Sequence, residues 1–349
     1  LKLYLNPQGQ IDWHGLSAQK LYFKDLLAKF GVKIQVAKVG TYKSATEMFT
    51  ADKMSDADRA QTTAYIGAIW KNITAAVSKS RNIPVARLNQ LADSMIVLAD
   101  PTDYVKTKMV DGLLYTDQVK GIVKKQLGSD DICQVTPGDI NADETDDSGD
   151  EIAVYYACGS IVDGNASIDN GQCIDAQKVC RDLEDLANDH DVKAVVLRIN
   201  SGGGSAYASE QIWHQVSELK KKKPVVVSMG GMAASGAYYM SAPASWIVAQ
   251  PMTITGSIGI FGMFPDMSGL LQDKLGIKFD VANTNAHSDF TLDRTPVRPF
   301  NGDEMRCLET YINRGYSLFR QRVADGRHLS TEQVEKIAKG HVYAAQDAM

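Results

Sequence analysis

Three short runs of this sequence carry residue types able to do chemistry. The first is Val225–Ala237, VVVSMGGMAASGA, where Ser235 stands among alanines and glycines at an expected strand–turn–helix junction. Small neighbours let a substrate carbonyl reach a hydroxyl, and the N–H of Ser235 or Gly236 can face the oxyanion that forms. It is not the G-x-S-x-G elbow, because Ala233 and Ala237 stand where that motif has glycine. The plain alternative is a small residue that eases helix–strand packing. The second run, Arg198–Ser205, reads RINSGGGS and lies between an expected strand and an expected helix. Such a turn aims backbone N–H groups at a phosphate or a developing oxyanion, or it is simply a glycine turn. Neither G-x-G-x-x-G nor the Walker A pattern is present. The third run is Val39–Phe49, VGTYKSATEMF, with Lys43 among small and apolar residues. A nucleophilic serine needs a base, and none of the six histidines (His14, His190, His214, His287, His328, His341) stands in a triad setting. A lysine serves if desolvation leaves its amine neutral. The competing reading of Lys43 is an ordinary exposed lysine.

The elements that must position these residues can be read from pattern. From Pro224 to Pro265 no Asp, Glu, Lys, Arg or His occurs. Glycines and prolines interrupt the stretch, so it is not a membrane span of about 18 apolar residues. It predicts a strand at Val225–Ser228, a Gly-rich turn, a short helix at Ala234–Ser241 and a strand at Trp246–Ala249. Such a segment is walled off from water, and its polar groups must find partners or act. Strands at Ile152–Ala157 and Ala194–Ile199 alternate with helices at Ala176–Asn188 and Ala208–Lys221, which indicates an α/β domain on a mostly parallel sheet.

An internal repeat organises the rest. Thr63–Ala92 aligns without a gap to Glu309–Ala338, with Tyr65/Tyr311, Ile66/Ile312, Val77/Val323, Arg81/Arg327 and Ala92/Ala338 identical. Leu26–Ala37 resembles Leu270–Ala282. The expected organisation is therefore a tandem duplication: residues 1–128 as the back of a first unit, an acidic linker at 129–150 containing NADETDDSGD, and a second unit at 151–349. On this register the first unit is truncated and the second lacks its last residues. Unit two has Ser288 or Asp289 where unit one has Lys43. The unit with the serine thus lacks the lysine, as expected if one site is assembled from both.

Composition sets the outer limits. The 349 residues are 44% apolar and 23% charged, enough for a sizeable core, and the net charge of −5 gives no general footprint for nucleic acid or anionic membrane. Five cysteines without a C-x-x-C pair write neither a disulfide framework nor a zinc site. Cys173 and Cys180 could pair in an oxidising compartment, but buried or idle thiols are the preferred reading. Lys220–Lys223 reads as a solvated helix end favoured by the dipole.

VGTYKSATEMF, RINSGGGSAYASE, VVVSMGGMAASGAYYMSAPA, TITGSIGIFG and GHVYAAQDA together resemble bacterial signal peptide peptidase A in its long, duplicated form. The order and spacing of the runs match over nearly the whole chain. The resemblance implies a crotonase/Clp-protease-like α/β fold. It implies a serine peptidase of remnant signal peptides and other extended hydrophobic peptides, with no metal and no cofactor. Ser235 then corresponds to the nucleophile, Lys43 to the general base and Ser257 to a serine that orients the lysine. Gly203, Gly204 and the backbone of Gly236 correspond to the oxyanion hole. The family's S-P-G-G has Gly202 here in place of proline. The resemblance also implies a bowl-shaped homo-oligomer, a tetramer by the family's pattern. It places the catalytic part on the periplasmic side of the bacterial inner membrane, through an anchor absent from this chain. Two other classes share parts of the pattern: a crotonase-type acyl-CoA enzyme, disfavoured by a Ser/Lys pair in place of carboxylates, and a non-catalytic scaffold of the same fold.

Overall fold

The computed structural model describes residues 2–136, 149–164, 173–290 and 297–349. Most of the acidic linker expected at 129–150 lies outside the described residues. In chain order the regular elements begin with β1 (Tyr4–Leu5), α1 (Lys24–Lys29), β2 (Lys33–Lys38), α2 (Glu47–Thr50), α3 (Asp56–Arg81) and α4 (Val85–Asp93). Then follow α5 (Pro101–Lys106), β3 (Gly112–Leu113), α6 (Thr116–Leu127), β4 (Glu151–Cys158), β5 (Ser160–Val162), β6 (Cys173–Asp175) and α7 (Ala176–Asn188). Next come β7 (Val192–Ser201), α8 (Ala206–Lys222), β8 (Val225–Ala234), α9 (Gly236–Ser241), β9 (Trp246–Val248), β10 (Ile254–Gly256) and β11 (Phe261–Asp266). The last are α10 (Gly302–Arg327), α11 (Thr331–Ile337), β12 (Val342–Ala344) and α12 (Ala345–Ala348). No helix among the described residues is long and apolar enough to cross a membrane.

Contacts divide the chain into two compact units, and the division falls within α3. One unit holds Leu1–Ser17 and Ile66–Gly149; the other holds Ala18–Tyr65 and Asp150–Met349. The first is built around Trp13, Leu88, Leu91, Tyr104 and Val110, with the Trp13 indole donating to the Leu88 carbonyl at 2.9 Å. Lys43, Ser235 and Ser257 all belong to the second.

The second unit is an α/β sheet in the order β12-β10-β8-β7-β4, with β9 also paired to β8. β4, β7, β8 and β10 run parallel, and β12 closes the edge antiparallel to β10. The period of two explains which face is covered. Val195, Leu197 and Ile199 of β7, with Val225, Val227 and Met229 of β8, are buried against Leu183 of α7 and Ile212, Val216 and Leu219 of α8. Truncating one of these large residues to alanine costs about 2–5 kcal/mol. Both covering helices have side-chain caps: Asp175 accepts from the N–H groups of Gln177 and Lys178, and Ser205 from that of Ala208.

The repeat is reproduced in helix geometry. α3 and α10 are each 26 residues long, and each is followed by a residue with positive φ, Asn82 at 53° and His328 at 56°, before the next helix starts. The other repeated stretch is not reproduced in full. Lys33–Lys38 forms β2 because it pairs antiparallel with β11, whereas 275–282 has no strand partner and stays irregular.

The Gly-rich turn expected after Ser228 is instead strand. β8 continues to Ala234, because β10 pairs with Met232–Ala234 and the Asn200 side chain accepts the Met232 N–H at 3.1 Å. The short helix therefore begins at Gly236, two residues later than the pattern suggested. Three adjacent parallel strands then end side by side. β7 leads into Gly202–Gly204, β8 into Ser235, and β10 into Ser257. Carboxyl ends of parallel strands are where this class of fold binds ligands.

Candidate active site

Ser235 occupies the single residue between β8 and α9, with φ 55° and ψ −122°. An L-residue held at positive φ stores about 1–3 kcal/mol of strain, and such strain persists only where the surroundings over-determine it. Here the Ser235 N–H donates to the Gly256 carbonyl at 3.0 Å, and the Ser235 carbonyl accepts the Tyr239 N–H at 2.9 Å. The hydroxyl is thereby projected off the strand end.

Lys43 reaches this hydroxyl from a different part of the chain. Its Nζ lies 3.0 Å from Ser235 Oγ, 2.9 Å from Ser257 Oγ and 3.3 Å from the Ser257 carbonyl. A neutral amine has two N–H groups and one lone pair. The two donors match the two Ser257 oxygens, which leaves the lone pair for the Ser235 hydroxyl proton. Ser257 is itself held at φ 52°, with its N–H donating to the His341 carbonyl at 2.6 Å.

The lysine is only 4% exposed, and burial pushes its pKa down from the ordinary 10.5 to about 8. At pH 8 half of the sites hold the free amine, against about one in 300 for an unperturbed lysine. Phe261 adds an aromatic face 5.8 Å from Nζ.

Beside the pair lies a cavity of about 630 Å³, lined by Gly202–Gly204, Met232, Phe261, Ala45 and the two serines among others. Apart from Lys43, no charged side chain lines it among the described residues. Gly203 has φ 99°, and a Cβ there would come 2.7 Å from the Gly236 nitrogen and 2.9 Å from Ser235 Cβ. Only glycine lets the loop approach Ser235 this closely. The Gly203 N–H donates to Ser201 Oγ at 3.0 Å, so an oxyanion must share that donor or displace the hydroxyl. Gly204 is bridged to Ile161 beside it. Gly202, where proline was expected, has Met232 Sδ 3.3 Å from the place a Cβ would occupy.

All six residues singled out from sequence, Ser235, Lys43, Ser257, Gly203, Gly204 and Gly236, thus converge on one cavity or its wall. Sequence reading missed a second layer. Asp58 and Gln61 at the start of α3 hold the turn that carries Lys43, and Gly340 and His341 pack behind it. For Asp58 and Gln61 the sequence signal was polar residues on a helix face that the structure buries, whereas Gly340 and His341 lie in the run GHVYAAQDA without a role having been read for them.

The sequence model of peptidase family S49 matches residues 2–129 and 217–349. The chain belongs to peptidase family S49. A second model, Clp protease, matches residues 162–253 within the α/β sheet. Among S49-like relatives, the chain is 38% identical to "Protease 4" of Salmonella typhi over 358 residues, covering 99% of this chain and 57% of that protein. It is 37% identical to "Protease 4" of Haemophilus influenzae, with 99% and 58% covered. It is 27% identical to "Serine protease SPPA, chloroplastic" of Arabidopsis thaliana, with 99% and 52% covered. The chain spans a little over half the length of these curated relatives. The two separate S49 matches fall on the two halves of the repeat, as a duplicated family unit requires.

Proposed function

We propose that this chain carries the catalytic site of a serine endopeptidase that cleaves remnant signal peptides and other extended hydrophobic peptides. The observation that carries the reading is the 3.0 Å contact between Lys43 Nζ and Ser235 Oγ, made by a buried lysine whose other partners are the two oxygens of Ser257. Lys43 takes the Ser235 proton as the oxygen attacks the scissile carbonyl. Backbone N–H groups of the glycine loop and Gly236 receive the oxyanion, each worth about 3 kcal/mol in such sites. The protonated lysine passes its proton to the leaving amine, and the free amine later activates the water that releases the acyl group.

The nearly uncharged lining, with Met232, Phe261 and Ala45 among glycines and serines, supports an uncharged, hydrophobic peptide. The repeat supports the division at 1–128, 129–150 and 151–349, with the lysine from the first copy and the serine from the second. The resemblance to signal peptide peptidase A supports a homo-oligomer at the bacterial inner membrane, facing the periplasm. Ser235→Ala and Lys43→Ala should each abolish cleavage of a hydrophobic peptide, and labelling of the serine by a fluorophosphonate, while thermal unfolding stays cooperative. Cleavage retained by either variant sinks the dyad.

A further inference from the structure

Lys43 sits in no regular element. With φ −76° and ψ 75°, and with the Ser44 N–H donating to the Tyr42 carbonyl at 2.8 Å, it is the central residue of an inverse γ-turn. A three-residue turn closed by one hydrogen bond does not by itself fix the direction of a long side chain. Something must hold both of its ends, and one side chain does so.

The Gln61 amide nitrogen donates to the Tyr42 carbonyl at 3.0 Å and to Ser44 Oγ at 3.1 Å, the residues on either side of the base. Its amide oxygen accepts the Val342 N–H at 3.1 Å. Val342 follows His341, whose carbonyl holds the Ser257 N–H. A single amide therefore joins the turn bearing Lys43 to the strand segment that sets Ser257, the residue contacting Lys43 Nζ through two oxygens. Gln61 is buried, and it does not line the cavity.

Asp58 completes the clamp. It accepts from Ser44 Oγ at 2.7 Å and from Gln61 at 3.1 Å, while Lys20 sits 2.7 Å from both of its oxygens. Burial pushes the Asp58 carboxyl up, but its bonds to Lys20, Ser44 and Gln61 outweigh this and hold it below the usual range. The negative charge next to the turn is thus matched by Lys20. Other titratable groups around the turn include Tyr42, stacked on His341, then Tyr343 beyond that ring, Glu47, which is bonded to Ser55, and Tyr22, which feels the charges of Asp58, Lys20, Glu47 and Arg59.

We propose that Gln61 is the positioning residue of the lysine base, clamping its turn to the segment that orients Ser257. This rests on the Ser/Lys reading above. Without the clamp the turn loosens, Nζ regains water, and the lysine moves back toward its ordinary basicity.

The experiment measures peptide cleavage from pH 6 to pH 10.5 for wild type, Gln61→Ala, Gln61→Glu and Lys43→Met. Expected for Gln61→Ala is a fall in kcat of about 10- to 100-fold at pH 7.5, with KM changed less than about twofold. The midpoint of alkaline activation should rise by about one pH unit. Gln61→Glu keeps the size but turns an acceptor toward the Tyr42 carbonyl and Asp58, so its loss should be larger. If Gln61→Ala does not fold, Ser44→Ala removes one clamped end and should shift the midpoint in the same direction by less. An unchanged midpoint, or a rise in KM with kcat intact, overturns the proposal. If Lys43→Met is inactive while the Gln61 variants match wild type, only this inference falls; if Lys43→Met is active, the dyad itself falls.

Discussion

Replacing Lys43 by methionine should destroy activity and yet make the protein more stable relative to wild type as pH is lowered. In the unfolded chain the amine keeps its proton up to about 10.5, but in the folded chain only up to about 8, because burial disfavours the ammonium. Between those values unfolding takes up a proton, so wild-type stability rises with pH. Below pH 8 the fold carries the whole penalty of a buried charge, about 3 kcal/mol for a drop of that size. Above about pH 10.5 it carries none. Methionine has similar bulk and no proton. It leaves the hydroxyls of Ser235 and Ser257 short of a partner, which costs about 1–3 kcal/mol independently of pH. Urea unfolding of both proteins at a series of pH values isolates the lysine, because every other titrating group cancels in the difference. The advantage of Lys43→Met over wild type should shrink by about 2.5 kcal/mol between pH 7 and pH 10. A difference that stays flat with pH would refute a depressed lysine pKa, and with it the case for a neutral base.

Wild-type kcat should climb toward alkaline pH with a midpoint near 8, where the lysine loses its proton; a flat profile from pH 6 to 9 contradicts a lysine base. Ser257→Ala should lower kcat by about 10- to 100-fold with little change in KM, read by steady-state kinetics, because one of the two donors of the neutral amine loses its acceptor. Gly203→Ala should lower kcat by about 10²- to 10³-fold, since a Cβ there collides with Gly236 and Ser235; near-normal turnover would exclude this loop from the oxyanion site. Gly340→Ala places a methyl 2.7 Å from the Lys43 backbone nitrogen and Cβ at a residue with φ 77°. It should impair both thermal stability and kcat, and an unaffected variant would show that the wall behind the base yields.

Ser235 and the glycine loop were legible as candidates because chemistry and fold make the same demand on local composition. A serine flanked by small residues and a triple glycine each sit where a strand ends, and both are recognisable within a dozen residues. The α7 boundaries were legible for the same reason, since a capping Asp175 and a regular apolar spacing are local facts. What the sequence could not reveal depends on partners far along the chain. β8 runs through its glycines because β10 and β7 pair with its end and Asn200 holds the Met232 N–H, whereas 275–282, for all its likeness to the β2 region, has no strand partner. Gln61 and Asp58 look like the polar side of an amphipathic helix, and only the packing of α3 under the Lys43 turn makes them interior. The positive φ of Ser235 and Ser257 leaves no mark in residue type, for serine is not a residue that advertises it.

Lys43 and Ser235 are 192 positions apart in the chain, and the segment that holds Ser257 in place comes later still, at residues 341 and 342. On a ribosome adding about 5–20 residues per second, some 10–40 seconds separate the emergence of Lys43 from that of Ser235. During that interval the nascent chain carries a lysine with no hydroxyl to activate, and afterwards a hydroxyl whose lysine is not yet oriented. A peptidase of the proposed kind is most dangerous to itself while its own segments are still unfolded. With the atoms of the proposed dyad this far apart in sequence, the pair can meet only once both segments have been made and folded.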